Sequence, residues 1–483
     1  MSFSSISFLI FMVAVFILYW ILPQSCRWAA LLAANVVFYA SFEARFLILI
    51  LLLTVGSYFC AILLETYRNR AKLILGLSVA LLVCCLAVLK YSDFALSSID
   101  SITRTFAIPF TKPALKLIQP VGISFFTFMM IGYLVDVYRE KVPACRHFGH
   151  YAVFVSFFAN ITAGPIERAD HFLPQLREKK TFDYEQAAYG AMLLLIGLTK
   201  KIVIADCVSK YVDAAYENLH ACTAASIGLA TLLFALQIYC DFSGYSDMAV
   251  GVAKLLGFDL IINFKQPYFA RSIREFWATW HISLSTWLRD YIYIPLGGNR
   301  KGTVRRNLNL IATFLISGLW HGANWTYVLW GLIHGTAQVI ENAVYRRTPE
   351  GKAPSFGKPS TAKLPIRILQ HALTLLVIYV SWIFFRANTI GDAFYALTHL
   401  VTKGEILNSV FDLVMSRKSL LKVGFMALGL FLYDFFSRRQ DVIWWLRARK
   451  WPLRWACYVI FAVLVIVLKI HNGAEEAFIY LQF

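Results

Sequence analysis

Apolar positions come in long blocks along this chain, separated by short polar stretches. The blocks fall at 5–22, 28–42, 45–65, 72–89, 118–137, 186–204, 225–240, 308–320, 325–343, 366–386, 421–437 and 453–470. A helix needs about 20 such residues to cross the hydrocarbon core of a bilayer. Shorter blocks at 150–164 and 246–257 suit re-entrant or half-spanning segments. In lipid a helix satisfies its own backbone groups, so helix is the structure these blocks predict. The expected fold is all-α: a polytopic integral-membrane helical bundle of about ten to twelve spans, with re-entrant and interfacial helices. Residues 1–483 read as a single domain.

Two stretches depart from this pattern. In 274–294, a helical wheel puts Trp277, Trp280, Leu284, Trp287, Leu288 and Tyr291 on one face, with Arg274, Glu275, Thr279, Ser285, Thr286 and Arg289 elsewhere. That predicts a helix lying in the interface with its aromatics at headgroup level and His281 at the edge of the aromatic face. Upstream, QIYCDFSGYSDMAVG (237–251) crowds polar groups at the end of an apolar block, and Ser243-Gly244 predicts a helix break there. Asp247 could cap the next helix. Asp241 and Asp247 could instead form a proton or cation relay, as in transporters.

Composition narrows the class. Only 15% of the 483 residues are charged and 59% are hydrophobic, whereas soluble domains carry about 25% charged residues. A soluble protein is excluded, and lipid is the first partner implied. Net charge is +18. The basic residues sit in clusters between apolar blocks: Arg68, Arg70 and Lys72; Lys200 and Lys201; Arg300, Lys301, Arg305 and Arg306; Arg346 and Arg347; Arg438 and Arg439. This is the distribution of cytoplasmic loops, so no nucleic acid is expected. A cytoplasmic 66–72 places the N-terminus outside, 138–141 inside and 90–117 outside. The first block lacks a basic leader and reads as a retained span. Segments 346–365 and 402–419 read as soluble loops. The nine cysteines are scattered without C-x-x-C, so neither a metal site nor a disulfide framework is expected.

The chemistry concentrates in 266–335, where His281, His321 and His334 lie among tryptophans. His321 closes an apolar block, and a titratable ring at membrane depth is costly unless paired or used. Gly318 and Gly322 permit close backbone approach there, and Trp320 and Trp325 can wall off water. His334 reads as a histidine satisfied within the bundle. A histidine can take a proton from a hydroxyl and return it to a leaving group. In a water-poor tunnel this suits acyl transfer from a thioester to an alcohol. G-x-S-x-G and H-E-x-x-H are both absent. The turn GGNRKG (297–302) lacks the P-loop order and reads as a basic surface turn. Arg300, Lys301, Arg305 and Arg306 form a basic rim able to concentrate a phosphate-bearing donor. The residues alone leave open a histidine-dependent transferase, a transporter using Asp241 and Asp247, and a scaffold.

QIYCDFSGYSDMAVG, SIREFWATWHISLSTWLRDYIYIPLGGNRKG (272–302) and GLWHGANWTYVLWGLIHG (318–335) together resemble the membrane-bound O-acyltransferase (MBOAT) family. The resemblance extends through KYSDF (90–94), PVGISFFTF (120–128), AGPIERADHFLPQL (163–176) and AFIYLQF (477–483). Cys240 and Ala278-Thr279 depart from the family pattern. The resemblance implies an MBOAT-like bundle with its essential histidine at His321 and a second polar position at His281. With the basic rim, Trp320, Asn324, Asp241 and Asp247 complete the candidate set for substrate and donor. It further implies transfer of an acetyl group from a cytoplasmic donor, expected to be acetyl-CoA, with no bound cofactor. The implied acceptor is a cell-surface polysaccharide such as alginate, reached with an extracytoplasmic acetyltransferase partner protein. The implied location is the bacterial cytoplasmic (inner) membrane. Peptidoglycan or another exopolysaccharide as acceptor, and D-alanyl transfer to teichoic acid, remain the alternatives.

Overall fold

The computed structural model describes residues 1–113, 117–346, 363–400, 415–472 and 478–479. The loops expected at 346–365 and 402–419 fall almost wholly outside the described residues. Every regular element among the described residues is helical, and there is no strand. The chain folds as two compact units, residues 1–188 with 252–261 and residues 189–251 with 262–483.

The first unit is built on α1 (Ile6–Ile21), α2 (Gln24–Glu43), α3 (Phe46–Thr66), α4 (Ala71–Thr105), α5 (Ile123–Tyr138), α6 (Phe148–Ser156) and α7 (Ala169–Arg177). Helix α5 is apolar all round and buried from Ile123 to Leu134. Helices α1 and α4 are apolar too, yet turn Ile6, Ile10, Leu73 and Leu77 outward at more than half exposure. Lipid is the solvent that makes such faces stable. Helix α4 has 35 residues, about 52 Å at 1.5 Å per residue, which exceeds a bilayer core. Residues 90–105, read from the sequence as the start of an external segment, are therefore the end of this helix. The short block at 150–164 becomes α6 followed by buried turns, where the Asn35 side-chain oxygen accepts the Phe158 N–H at 2.9 Å.

The second unit carries the chemistry. Its helices are α8 (Tyr184–Leu198), which starts in the first unit, α9 (Asp206–Glu217), α10 (Ala224–Leu255), α11 (Ile273–Thr279), α12 (Ile282–Leu288), α13 (Gly302–His321), α14 (Trp325–Arg346), α15 (Leu364–Arg386), α16 (Ile390–His399), α17 (Arg417–Ser437), α18 (Val442–Arg447) and α19 (Trp451–Asn472). A π-helical turn, Thr199–Ala205, joins α8 to α9.

Three expectations are corrected here. First, α10 runs unbroken through Ser243-Gly244. A Cβ on Gly244 would stand 2.8 Å from the Gly197 carbonyl oxygen, so this glycine permits close helix approach rather than a break. Second, Lys200 and Lys201 are not in a cytoplasmic loop. They are 7% and 5% exposed, on the π-helical turn. Lys200 Nζ meets Asp247 at 2.7 Å, and Lys201 Nζ meets Asp206 and Asp241 at 2.8 Å each. Buried cations are stable only with such partners. Third, 274–294 is not one interfacial helix. It is broken at His281, and Trp277, Trp280 and Trp287 are buried at 8%, 1% and 4% exposure.

Six described helices are long and apolar enough to cross a membrane: Phe46–Thr66, Arg68–Thr105, Ala224–Leu255, Leu364–Arg386, Arg417–Ser437 and Trp451–Ile470. Ile6–Ile21 and Ile123–Tyr138 are shorter apolar helices. The larger sequence-based count included α13 and α14, which are full helices but carry more polar positions.

Candidate active site

His281 sits at a kink. Trp280 is extended after α11, and His281 has φ 43° and ψ 55° before α12 begins. A left-handed backbone at a residue other than glycine costs about 1–3 kcal/mol and persists where the surroundings over-determine it. Asn263 supplies much of that constraint. Its carbonyl accepts the Ile282 N–H at 3.0 Å, and its side-chain oxygen accepts the Ser283 N–H at 3.3 Å. The Lys265 N–H bonds the Thr279 carbonyl at 3.0 Å on the other side of the kink. The start of α11 is fixed as well. Ser272 Oγ caps it by accepting the Glu275 N–H at 2.9 Å, and the Glu341 carboxylate accepts from Ile273 and Arg274 N–H. The kink turns the His281 ring inward. The residue is fully buried, edge-on to Phe242 at 4.6 Å and 5.5 Å from Trp320 between ring centres.

His321 is the last residue of α13. A Cβ on Gly318 would stand 2.2 Å from the Tyr327 carbonyl oxygen, so only glycine lets α13 and α14 approach this closely. The His321 ring centre lies 6.5 Å from that of His281. Trp320, Trp330 and Phe385 surround it at 5.0, 4.9 and 5.2 Å. Trp320 is 4% exposed, whereas Trp325, expected as a second wall, is 50% exposed. Trp330 takes that place.

His334 is held differently. Trp277 Nε1–H donates to its Nδ1 at 3.3 Å, and its Nε2 lies 3.0 Å from Ser381 Oγ. An indole can only donate, so Nε2 carries the proton and donates to Ser381. Ser381 in turn donates to the Ile378 carbonyl at 2.7 Å. This ring ties α11, α14 and α15 together.

Two cavities flank His321 along α13. One, of about 620 Å³, begins at Gly322, the next residue, and is lined by Asn324, Tyr327, Gln237, Asp241, Lys201 and Arg386 among others. The Gln237 side-chain oxygen is buried there without a hydrogen-bond partner. The other, of about 570 Å³, reaches Ser317, one turn before His321, and is lined by Arg274, Arg289 and Arg306. His321 itself is buried and lines neither; in the chain it lies between Ser317, which lines the cationic cavity, and Gly322, which lines the one of mixed charge.

The remaining candidates divide. Trp320 contacts both histidine rings. Asn324 lines the mixed cavity and donates to the Asn388 carbonyl at 2.9 Å. Asp241 lines it too, but is held by Lys201. Asp247 is paired with Lys200 and lines neither cavity. Of the basic rim only Arg306 lines a cavity, while Arg300, Lys301 and Arg305 are exposed and line neither. Among the described residues no cluster of His, Cys, Asp or Glu could hold a metal ion. Sequence reasoning missed Arg274 and Arg289 as cavity residues, since both read as the polar side of an interfacial helix. It also missed Asn263, which carries no motif.

Comparison with known proteins gives the family. A model of the membrane-bound O-acyltransferase family matches residues 145–360, a span that holds both histidines and both flanking helices. The probable alginate O-acetylase AlgI of Azotobacter vinelandii is 37% identical over 445 residues, covering 91% of this chain and 85% of that protein. The chain belongs to the membrane-bound O-acyltransferase family. This MBOAT protein is accordingly an acyltransferase and a multi-pass membrane protein. The probable alginate O-acetylase AlgI of Pseudomonas aeruginosa is 38% identical over 447 residues, 91% of this chain and 82% of its own. The peptidoglycan O-acetyltransferase of Helicobacter pylori is 36% identical over 401 residues, 77% of this chain and 73% of its own.

Proposed function

We propose that this MBOAT protein moves an acetyl group from acetyl-CoA to a hydroxyl destined for a cell-surface polysaccharide, alginate first among them. The reading places it in the bacterial inner membrane, with an extracytoplasmic acetyltransferase as partner. The observation that carries it is His321 at the end of α13, paired with His281 and flanked by two cavities of unlike charge.

In this reading the cationic cavity receives the donor, whose phosphates meet Arg274, Arg289 and Arg306. The thioester carbonyl comes up to His321 past Ser317. The acceptor hydroxyl enters from the side of Asn324 and Tyr327. The imidazole of His321 takes the hydroxyl proton as oxygen attacks the thioester carbon. The tetrahedral intermediate collapses with loss of the thiolate, which receives the proton from the imidazolium. Trp320, Trp330 and Phe385 exclude water, which would otherwise hydrolyse the thioester. His281 orients the groups across from His321. The relative from Helicobacter pylori supports a second acceptor, peptidoglycan.

Purified protein given acetyl-CoA labelled in the acetyl group should pass label to an acceptor or partner hydroxyl, and His321→Ala should not. Label transfer by His321→Ala at the wild-type rate would overturn the assignment.

A further inference from the structure

The AFIYLQF run at 477–483 has no part in the mechanism above, yet two of its residues reach the site. Phe478 and Ile479 are each 5% exposed. The Ile479 N–H donates to Asp241 Oδ2 at 2.7 Å, and Ile479 lines the cavity beside Gly322. The other Asp241 oxygen meets Lys201 Nζ at 2.8 Å, which also meets Asp206. Both oxygens of Asp241 are therefore committed, one to a buried cation and one to a backbone amide far along the chain. That is the pattern of a latch, not of a substrate ligand.

What the latch holds is aromatic. The Phe478 ring lies 4.6 Å from Tyr245 and 6.0 Å from Phe242. Phe242 presents its ring to His281 at 4.6 Å, 88° from coplanar. The fully buried His281 ring packs against Phe242 and Trp320, so its direction depends on where those rings stand. A continuous line of contact runs from Lys201 and Asp241 to Ile479, then from Phe478 through Phe242 to His281.

We infer that Phe478 and Ile479 form a wedge, latched by Asp241, that positions the His281 ring through Phe242. The inference rests on the acetyl-transfer reading for its kinetic readout. Phe478, Ile479 and Asp241 touch no reacting atom, so they are positioning residues. Displacement of a catalytic group by about 1 Å can cost on the order of 10²-fold in rate, and loss of a supporting ring next to a strained backbone is a route to such displacement.

The test uses the full chain in membranes at matched protein levels. Phe478→Ala should lower kcat about tenfold or more while KM for donor and acceptor stays within about twofold, and Phe478→Tyr should restore most of the rate. Ile479→Pro, which removes the donated N–H, should lower kcat in the same way; Asp241→Ala removes the same bond and also strands buried Lys201, so it should cost more. Adding Ile479→Pro to Asp241→Ala should make it little worse, because that bond is already gone. Carbethoxylation of His281, followed by mass spectrometry, gives a readout independent of activity. It should rise in Phe478→Ala, while that of His334 stays low. Unchanged kcat and unchanged His281 modification in Phe478→Ala would overturn the wedge. So would equal gains at His281 and His334, which report general loosening. If His321→Ala retained acetylation, the transfer reading would fall, while His281 protection would still report on the wedge.

Discussion

The two cavities beside His321 have similar volumes but opposite character. Beside Gly322, cations and anions come in pairs: Lys201 with Asp206 and Asp241, and Arg386 with Asp213 at 2.6 Å. Beside Ser317, three guanidiniums converge with less acid to meet them: Arg289 has Asp290 at 2.8 Å, and Glu341 is committed to the backbone of α11. A polyanion gains in the second cavity and a neutral, hydroxyl-rich group in the first. In the proposed reading the two unlike pockets serve the two substrates, and His321, close to both in the chain, carries the proton between them. If the reading holds, variants on the two sides must affect different substrates, and only variants at the junction must affect both.

The junction should give the largest effect. His321→Ala and His321→Gln should abolish detectable acetylation with insertion and partner binding intact, since loss of a general base costs about 10²–10⁴ in rate. The measurement is acetyl content of the surface polymer at matched protein levels. Wild-type acetyl content would dissolve the comparison, because His321 would no longer join the cavities chemically. His281→Ala should cost less if that ring only orients groups, and as much if the two rings act as one unit.

Next comes the cationic side. Arg274→Gln with Arg306→Gln should raise KM for acetyl-CoA about tenfold, roughly 1.4 kcal/mol, and leave the acceptor KM unchanged. Arg300→Gln with Arg305→Gln, which lie outside both cavities, should shift it by less than about twofold. Equal effects of the two pairs would mean that overall basic charge, not this cavity, attracts the donor. On the mixed side, Gln237→Leu should do the reverse. It removes a buried acceptor oxygen on a residue that lines the cavity, so the acceptor KM should rise a few-fold, on the scale of one hydrogen bond of about 1 kcal/mol. A donor-specific change would reverse the two assignments.

How far the sequence reached depends on what each feature leaves in composition. Helices α3, α15, α17 and α19 are legible because each is a near-continuous apolar block bounded by polar residues. His321 was legible because a lone histidine at the end of such a block stands out. The kink at His281 was not, since a left-handed backbone at a residue other than glycine leaves no compositional mark. Reading through it as one helix sent three buried tryptophans to the interface. Lys200 and Lys201 misled for a related reason. Adjacent lysines look like a loop cluster until the π-helical turn and the acids of α10 bring each a partner. Asp241 and Asp247 were seen without those partners, which is why a relay for transport stayed open. Ser243-Gly244 looked like a break because glycine marks both breaks and close contacts, and only the neighbour Gly197 distinguishes them.

The smallest effect on activity should come from His334, the control for the comparison. It is as buried as His281 and lies on the helix that follows His321, but, unlike His321, it is not next to a residue that lines either cavity. Its two nitrogens are spent on Trp277 and Ser381. His334→Ala would strand the Trp277 N–H and open a cavity among α11, α14 and α15. An unsatisfied buried polar group costs about 1–3 kcal/mol, so the loss should appear as lower thermal stability and lower membrane abundance. His334→Gln, whose amide can accept from Trp277 and donate to Ser381, should recover part of that loss. Per folded molecule, kcat should stay within about twofold of wild type, because the proton path through His321 does not include this ring. A kcat loss as deep as that of His321→Ala, in protein that melts at the wild-type temperature, would place His334 in the chemistry. The junction would then be three histidines, from the kink before α12, the end of α13 and the interior of α14, rather than the pair His281 and His321.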